Sequence, residues 1–459
     1  MINAKKFILF IGDTILLYVA LWITLRLRYW TDYDHQVLLD HLWPFTLVFA
    51  LWLIVFFIND LYSVRSVKNS FRFYGYLVQN QLINTVLALA FFYLVPNSFT
   101  TLRPQRVLII LVLIYTLLFL LWRRLFYSLS TSSRLTNTVA FVGLDKEVIG
   151  LCQEILDKPQ LGYKVGLLVN LDGIAIPESL QSIPVRKDLI NLKQEIANCQ
   201  VNTVVTISDP RHSAQISKYL FDTIDLKLQY FNFPDFYETL TGKIPVTSLE
   251  KTWFLQNISQ GTKKLYEIGK RLEDIVVAII LGIIGLPFAI VLIPLIKLES
   301  PGSAFFTQTR TGRGGKNFTT IKFRSMRADA ESSGQAVWAQ KSDPRVTKLG
   351  NIMRASRLDE IPQIINILRG DMSFVGPRPE RPEFIKILGE QIPFYNERLL
   401  VKPGLTGWAQ INYPYGSSID DAMAKLQYDL FYIKNRSFTL DISIILKTIN
   451  TVLNRSLGQ

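Results

Sequence analysis

The chain has 459 residues, which is enough for two or three domains that each bury a core of their own. Hydrophobic residues make up 49% of it and the mean hydropathy is positive, which excludes an ordinary soluble enzyme of this length. The net charge of +13 predicts anionic partners, and the apolar runs favour phosphate ligands and acidic lipids over nucleic acid. Two cysteines and three histidines indicate neither a disulfide framework nor a zinc site.

Four apolar segments occupy the first third of the chain, and each is close to the length that crosses hydrocarbon as a helix. These segments cover residues 7–25, 42–58, 77–95 and 107–122. They predict a transmembrane bundle of four helices over residues 1–130. Because a charged Asp13 inside the first segment would cost about 3 kcal/mol at the bilayer centre, we expect its side chain to face a neighbouring helix.

Basic residues collect on one side of these segments. They are Lys5, Lys6, Arg65, Lys68, Arg72, Arg123, Arg124 and Arg134. The first loop on the other side carries Asp32, Asp34 and Asp40, together with Arg26 and Arg28. The positive-inside rule therefore predicts that the N-terminus and everything after residue 123 lie in the cytoplasm.

A soluble α/β pattern comes next and predicts a Rossmann-like cytosolic domain over residues 137–255. The predicted strands cover residues 138–143, 166–169, 202–207 and 226–231. Helical stretches separate them, which is typical of a doubly wound parallel sheet. The first strand–helix turn contains Gly143 and Gly150 but lacks G-x-G-x-x-G, so a structural or regulatory role is favoured over a dinucleotide site.

A fifth apolar run covers residues 274–296 and contains Pro287 near its midpoint. Basic residues flank both of its ends, which predicts that both ends lie on the cytoplasmic side. The simplest arrangement is a re-entrant helix that is broken near Pro287 and leaves the membrane by the face it entered. A helix that crosses the membrane is the alternative.

The region from Lys297 to Arg369 is strongly basic, which is typical either of a solvated surface or of attraction to anionic lipid. Residues 304–310 and 318–324 are predicted to pair as strands around a glycine-rich turn. In the second strand cations alternate with apolar residues, which predicts that Lys322 and Arg324 lie on one face. This pattern makes both side chains candidate phosphate ligands.

Two adjacent carboxylates, Asp359 and Glu360, precede another apolar stretch. Since Pro362 is tolerated in the first turn of a helix, the helix is predicted to start near residues 356–359. Acidic residues at this positive end of a helix most often serve as caps. The functional alternative is an ionised aspartate nucleophile beside a glutamate that holds a divalent metal near bound phosphates.

A proline-rich turn supplies the third candidate element. Pro377 and Pro379 restrict the backbone around Arg378, which limits the entropy lost when its guanidinium is aimed at a phosphate. The alternative is a structural loop with an exposed arginine.

Several segments in this order resemble the catalytic module of the bacterial polyprenyl-phosphate hexose-1-phosphate transferases, in the monotopic phosphoglycosyl transferase superfamily. The matching segments are SPG with FFTQTRTGRGGKNF, then KFRSM, RLDEIPQ, GDMSFVGPRP and KPGLTGWAQ. The resemblance gives a catalytic α+β domain over residues 262–459. The preceding helices and α/β domain are similar in layout to the large form of the family.

The resemblance implies a two-step reaction. Asp359 would attack a UDP-sugar, release UMP and form an aspartyl phosphosugar, which polyprenyl phosphate would then accept. Glu360 would bind Mg²⁺, and the cations that neutralise the phosphates would be Lys322, Arg324, Arg354 and Arg378. The resemblance also implies a homodimer that spans the bacterial inner membrane several times, with its soluble domains on the cytoplasmic side. Such enzymes start exopolysaccharide, capsule or O-antigen synthesis.

Two other classes of function stay open at this point. One is a membrane-tethered NAD-dependent sugar oxidoreductase that uses the α/β domain, and the other is a non-catalytic scaffold for polysaccharide assembly. For the transferase, every candidate catalytic residue lies after residue 320. We therefore expect a protein that starts near Gly261 to retain transfer without the α/β domain.

Overall fold

The computed structural model describes residues 2–64, 70–94, 105–131, 136–207, 213–258, 264–327, 345–414, 416 and 418–453. The chain divides into two compact units, Met1–Leu240 and Thr241–Gln459.

The first unit begins with apolar helices that are long enough to cross a membrane. They are α1 (Ile2–Tyr29), α2 (His35–Ile58), α3 (Phe71–Leu94) and α4 (Gln105–Ser130). Their shared core is rich in buried aromatic rings, among them Phe45, Phe49, Trp52, Tyr115 and Phe119. Several apolar helices at the N-terminus identify the chain as a membrane protein.

An ion pair lies inside this bundle. The Arg123 guanidinium donates one hydrogen bond to the Asp13 carboxylate at 2.5 Å and another to the Leu61 carbonyl at 2.6 Å. Both charged side chains are fully buried. The expectation that Asp13 faces a neighbouring helix is therefore confirmed, since the pair joins α1 to α4 and to the end of α2.

The rest of the first unit is a doubly wound α/β domain. Its strands are β1 (Asn137–Val142), β2 (Tyr163–Val169), β3 (Val185–Arg186), β4 (Thr203–Thr206) and β5 (Gln229–Asn232). All pairs are parallel in the order β3-β2-β1-β4-β5, as the alternating pattern predicts. The helices between them are α5 (Lys146–Asp157), α6 (Leu192–Asn198) and α7 (Ala214–Phe221), with α8 (Phe233–Thr241) after β5.

The turn after β1 differs from a dinucleotide-binding turn in its chemistry as well as its glycine pattern. The Asp145 carboxylate caps α5 by accepting a hydrogen bond from the Val148 amide at 2.7 Å. In a dinucleotide site the cofactor phosphate lies at this helix N-terminus. A carboxylate in that place repels such a ligand.

The second unit contains α9 (Lys251–Asn257) and then one continuous helix, α10 (Lys264–Glu299). Pro287 lies inside α10, every residue of which the structure describes, so the predicted break into two half-helices is not observed. A proline removes one backbone hydrogen bond and can bend a helix without ending it when both flanks stay helical. The helix also starts ten residues before the predicted residue 274.

The segments after α10 build the rest of this unit. They are β6 (Phe305–Thr311), β7 (Asn317–Phe323), α11 (Lys348–Ala355), a 3-10 helix (Leu358–Gln363), α12 (Ile364–Arg369), β8 (Ser373–Val375), α13 (Pro382–Gln391), a second 3-10 helix (Tyr395–Leu400), β9 (Gly404–Thr406), α14 (Trp408–Asn412), α15 (Ile419–Asn435) and α16 (Phe438–Leu453). Strands β6 and β7 form the predicted antiparallel hairpin, and β8 pairs with β9 in parallel.

The segment 241–258 packs into this second unit. Ile244, Val246, Leu249 and Trp253 are buried in one core with residues of β8, α15 and α16. The compact unit that contains them starts at Thr241, whereas the predicted domains end at residue 255 and start at residue 262. The apolar pattern identifies these side chains as core residues but carries no information on which core they join.

Candidate active site

The two adjacent carboxylates lie in the first turn of the 3-10 helix Leu358–Gln363, here called the carboxylate turn. The chain enters it through Arg357 in the left-handed conformation, with φ of 58°, and leaves it into α12. Pro362 lies inside this short helix, two residues before the start of α12 at Ile364. The helix therefore begins near the predicted residues 356–359, and both carboxylates are buried.

Glu360 is the centre of a cluster of cations. Its Oε1 accepts hydrogen bonds from Lys322 Nζ at 2.9 Å and from Arg378 Nη2 at 2.8 Å, and Arg357 lies at 3.8 Å. Burial opposes ionisation of this carboxyl, but the charges of Arg378, Lys322 and Arg357 outweigh it and lower its pKa. Glu360 is therefore an ionised carboxylate under ordinary conditions.

Asp359 has the opposite electrostatic environment. Burial, together with the negative charge of Glu360, raises the pKa of its carboxyl, although Lys322, Arg354 and Arg357 act against the rise. Its Oδ1 is buried and has no hydrogen-bond partner among the described residues. An acceptor oxygen left without a donor costs free energy in a folded protein, which is typical of a group reserved for a reaction or a ligand.

Lys322 reaches the carboxylate turn because β7 is fixed against α12. The Asn366 side chain accepts a hydrogen bond from the Ile321 amide at 3.1 Å and donates one to the Thr319 carbonyl at 2.7 Å. These bonds hold the strand at a set distance from the turn. Burial lowers the pKa of Lys322, while its contact with Glu360 favours the charged form.

Arg378 lies in the loop 376–380, here called the PRP loop. The carbonyls of both flanking prolines accept hydrogen bonds, Pro377 from the Gly404 amide at 2.8 Å and Pro379 from Arg310 at 3.1 Å. The loop is thus fixed by both its proline dihedrals and its carbonyls. This fixed backbone aims the Arg378 guanidinium at Glu360.

A buried ion pair supports the PRP loop from behind. Arg398 donates to the Arg378 carbonyl at 3.0 Å and to the Asp429 carboxylate at 2.9 Å and 3.2 Å. It also donates to the Tyr395 hydroxyl at 2.9 Å. Arg398 lies on the 3-10 helix Tyr395–Leu400, here called the arginine turn. The position of that helix therefore determines the position of the Arg378 backbone.

Arg324 does not join the cluster. Its guanidinium donates to the carbonyls of Ser300 and Pro301 at 2.6 Å and 2.8 Å, at the end of α10. The prediction that it shares a face with Lys322 is therefore corrected. Strand β7 ends at Phe323, so the two-residue period stops one residue before Arg324.

The other predicted cation, Arg354, is close enough to act on the Asp359 charge. Its Nε donates to the Ser325 hydroxyl at 2.9 Å, which orients it from the end of α11. The sequence pattern does not single out Arg357, although it stands two residues before Asp359. The structure thus brings together Lys322, Arg354, Arg357, Asp359, Glu360 and Arg378.

Comparison with known proteins identifies the family of the segment that contains this cluster. The profile of a family described as "Bacterial sugar transferase" matches residues 265–455, which contain every residue of the cluster. A UDP-N-acetylgalactosamine-undecaprenyl-phosphate N-acetylgalactosaminephosphotransferase of Aeromonas hydrophila is 38% identical over 54% of this chain and 58% of its own length. A UDP-glucose:undecaprenyl-phosphate glucose-1-phosphate transferase of Xanthomonas campestris pv. campestris is 34% identical over 69% of this chain and 66% of its own length.

The matches thus span less than two thirds of the length of either of these two relatives. A UDP-glucose:undecaprenyl-phosphate glucose-1-phosphate transferase of Caulobacter vibrioides is covered further, with 39% identity over 41% of this chain and 70% of the relative. The segment that the family profile matches includes the carboxylates and cations described above. The chain therefore belongs to the bacterial sugar transferase family, the polyprenyl-phosphate hexose-1-phosphate transferases.

Proposed function

We propose that this protein transfers a sugar-1-phosphate from a UDP-sugar to undecaprenyl phosphate, releases UMP and starts an exopolysaccharide, capsule or O-antigen repeat unit. The observation that carries the proposal is the unpartnered Asp359 carboxylate oxygen beside an ionised Glu360, surrounded in the described part of the chain by cations from separate elements. Such an arrangement suits phosphoryl transfer, in which catalysis consists mainly of positioning and charge stabilisation. The relatives named above act on UDP-sugars and undecaprenyl phosphate, which supports the same substrate classes here.

The first step uses Asp359 as nucleophile. Its carboxylate oxygen attacks the sugar-bearing phosphorus of the UDP-sugar, the anhydride bond to the other phosphorus breaks, and UMP leaves with the bonding electrons. In the second step a phosphate oxygen of undecaprenyl phosphate attacks the same phosphorus and releases Asp359. Lys322, Arg354 and Arg378 stabilise the negative charge that builds up on the phosphate oxygens.

The residues present also fit a bound Mg²⁺. The ion pairs of Glu360 with Lys322, Arg357 and Arg378 all use Oε1, which leaves Oε2 as a hard oxygen ligand. No third carboxylate, histidine or cysteine completes a metal site within the described ranges, and Mg²⁺ typically takes one or two carboxylates plus substrate phosphates. When bound, the ion would withdraw charge from the phosphates and favour departure of UMP.

A re-entrant α10 on the cytoplasmic face of the inner membrane is part of this proposal. Near one end of the helix, Arg271 donates to the carbonyls of Ile367 and Leu368 at 2.6 Å and 2.7 Å. Near the other end, the Ile296 carbonyl accepts a hydrogen bond from Arg324 at 3.4 Å. About 38 Å of helix separates these two residues, more than the ~30 Å of hydrocarbon. Because both ends contact one folded unit, we propose that both lie on one side of the membrane, which requires the continuous α10 to bend without breaking.

Single-cysteine labelling tests this topology in a protein that lacks Cys152 and Cys199. Lys264→Cys, at the first residue of α10, and Asn317→Cys, beyond its end, are at exposed positions. We expect both to resist an impermeant thiol reagent until the cells are opened. Asp32→Cys, in the predicted external loop, should label in intact cells and serves as the control. Labelling of position 317 from outside would mean that α10 crosses the membrane.

The two other classes of function are less well supported. A scaffold has no need for four cations to converge on two buried carboxylates. An NAD-dependent oxidoreductase would require a phosphate-binding turn between β1 and α5. In this chain the Asp145 carboxylate caps α5 at that turn. The homodimer implied by the resemblance stays a prediction.

The reaction is tested with the purified full-length protein, Mg²⁺ and a panel of UDP-sugars. We expect UMP to appear for one or a few of these sugars, with up to one UMP per enzyme before undecaprenyl phosphate is added and continued turnover after it. The panel includes UDP-glucose and UDP-N-acetylgalactosamine, because the relatives differ in this choice. Absence of UMP release with every UDP-sugar and acceptor would reject the proposed function.

A further inference from the structure

The segment 241–258, here called the clasp, brings the chain from the α/β domain into the catalytic unit. It lies outside the part of the chain that the family profile matches, which starts at residue 265. Its buried residues nevertheless belong to the core of the catalytic unit. The elements that the clasp contacts are the same elements that hold the PRP loop.

The first contact is with α15, the helix that carries Asp429. The Ile244 amide donates to the Gln427 carbonyl at 3.0 Å. Further along the clasp, the Lys434 ammonium lies 5.1 Å from the ring centre of Trp253, within the range of a cation–π contact. The clasp therefore contacts α15 on both sides of Asp429.

The second contact is with the start of the arginine turn. The rings of Phe254 and Phe394 pack with their centres 4.5 Å apart. Phe394 precedes the arginine turn and has φ of 59°, a left-handed conformation that residues other than glycine rarely adopt. Such a conformation persists only where the surrounding packing holds it, and Phe254 supplies part of that packing.

The third link runs from the arginine turn to the active site. The first turn is closed by a hydrogen bond of 3.1 Å from the Glu397 amide to the Phe394 carbonyl. Arg398, on the same turn, holds the Arg378 carbonyl, and the Arg378 side chain in turn holds Glu360. A change in the backbone at Phe394 is thus passed to the PRP loop through direct contacts.

We infer that the clasp positions Arg378, with Phe254 as a positioning residue that acts through Phe394, the arginine turn and Arg398. Phe254 lies outside the cluster of carboxylates and cations, so its role is to fix the backbone that aims Arg378. The inference rests on the proposed function only for its effect on transfer, because the positioning itself is measurable without substrate. It also predicts that a protein starting near Gly261, which we expect to retain transfer, transfers more slowly than the full-length protein because it lacks the clasp.

Hydrogen–deuterium exchange of the full-length protein in nanodiscs tests the inference. In Phe254→Ala, peptides that cover residues 394–401 and 376–380 should exchange about tenfold faster, because both segments lose their support. The hairpin peptides that cover residues 305–323 should be unchanged. Leu255→Ala is the matched control, since Leu255 is the next residue on α9 and is 79% exposed, and it should change none of these rates.

Activity supplies the second readout. Phe254→Ala should lower the rate of transfer about tenfold, Phe254→Tyr should restore it because the ring is kept, and Leu255→Ala should match the wild type. If Phe254→Ala folds poorly, Phe254→Leu keeps most of the volume without the ring and should show the same exchange pattern at smaller amplitude.

Two exchange results would overturn the inference. One is faster exchange at 394–401 with no change at 376–380, which would mean that the arginine turn moves without the PRP loop. The other is an equal rise in all peptides, the hairpin included, which would mean that Phe254 only stabilises the unit as a whole. A protein that never releases UMP would reject the proposed function and leave the exchange test intact.

Discussion

Asp359→Asn is expected to abolish transfer, with a loss of at least about a thousandfold, because an amide cannot act as the anionic nucleophile. Asparagine has nearly the same shape, so the fold should be kept and the thermal midpoint should stay close to that of the wild type. With a UDP-sugar labelled in its sugar phosphate, the wild type should retain label covalently before acceptor is added, and the variant should retain none. Glu390→Gln, an exposed acidic residue on α13, is the control and should behave as the wild type.

The same residue predicts the pH dependence of transfer. Asp359 must be ionised to attack, and burial raises its pKa above the ordinary value. A raised pKa means that the carboxyl stays protonated up to a higher pH, so activity should rise with pH above the value of about 3.9 of an unperturbed aspartate. Covalent label retained by Asp359→Asn would contradict the assignment of Asp359 as the nucleophile. A wild-type activity that falls only at or below the ordinary aspartate pKa of about 3.9 would contradict a raised pKa.

Glu360→Gln is expected to lower transfer by about a hundredfold or more, because its Oε1 is the common partner of Lys322 and Arg378. The amide keeps an acceptor oxygen but removes the charge that balances these cations. Removal of that charge also removes a neighbour that raises the pKa of Asp359. The remaining activity of Glu360→Gln should therefore be lost at a lower pH than the activity of the wild type when the solution is acidified.

A magnesium titration separates the two roles of Glu360. If Oε2 binds the ion, Glu360→Gln should need more Mg²⁺ for half-maximal activity. An unchanged magnesium requirement, with activity still lost at a lower pH than in the wild type, would leave Glu360 as an electrostatic partner of the cations alone. Near-normal activity in this variant would remove it from the catalytic machinery.

The sequence predicts those parts of the site that depend on local patterns. The hairpin is indicated by alternating side chains around glycines, and the start of the carboxylate turn by Pro362, so the elements that carry Lys322 and the two carboxylates are predicted. Arg324 is misplaced because the end of a strand depends on tertiary contacts of the next residues, and here Arg324 turns towards the carbonyls of Ser300 and Pro301. The alternation of side chains along a strand does not indicate the residue at which the strand ends.

Long-range partners explain most of the remainder. Arg398 and Asp429 are separated by 31 residues, and nothing in either segment indicates that the two side chains meet. The sequence does not indicate the place of the clasp for a related reason. Its apolar residues predict burial but not the core in which they are buried. Pro287 shows a third limit, because the effect of a proline on a helix depends on whether its neighbours stay helical.

The ion pair between Asp13 and Arg123 has a consequence for how the membrane part is made. Helix α1 is synthesised first, and 110 residues must be added after Asp13 before Arg123 is present. At about 5–20 residues per second the wait is roughly 5 to 20 s, during which the carboxylate must stay near water or a transient partner. The first helix can therefore settle into its final position only after the fourth has emerged from the ribosome. A chain that stops before Arg123 keeps an uncompensated carboxylate, so an unfinished bundle differs from a finished one in charge as well as in length.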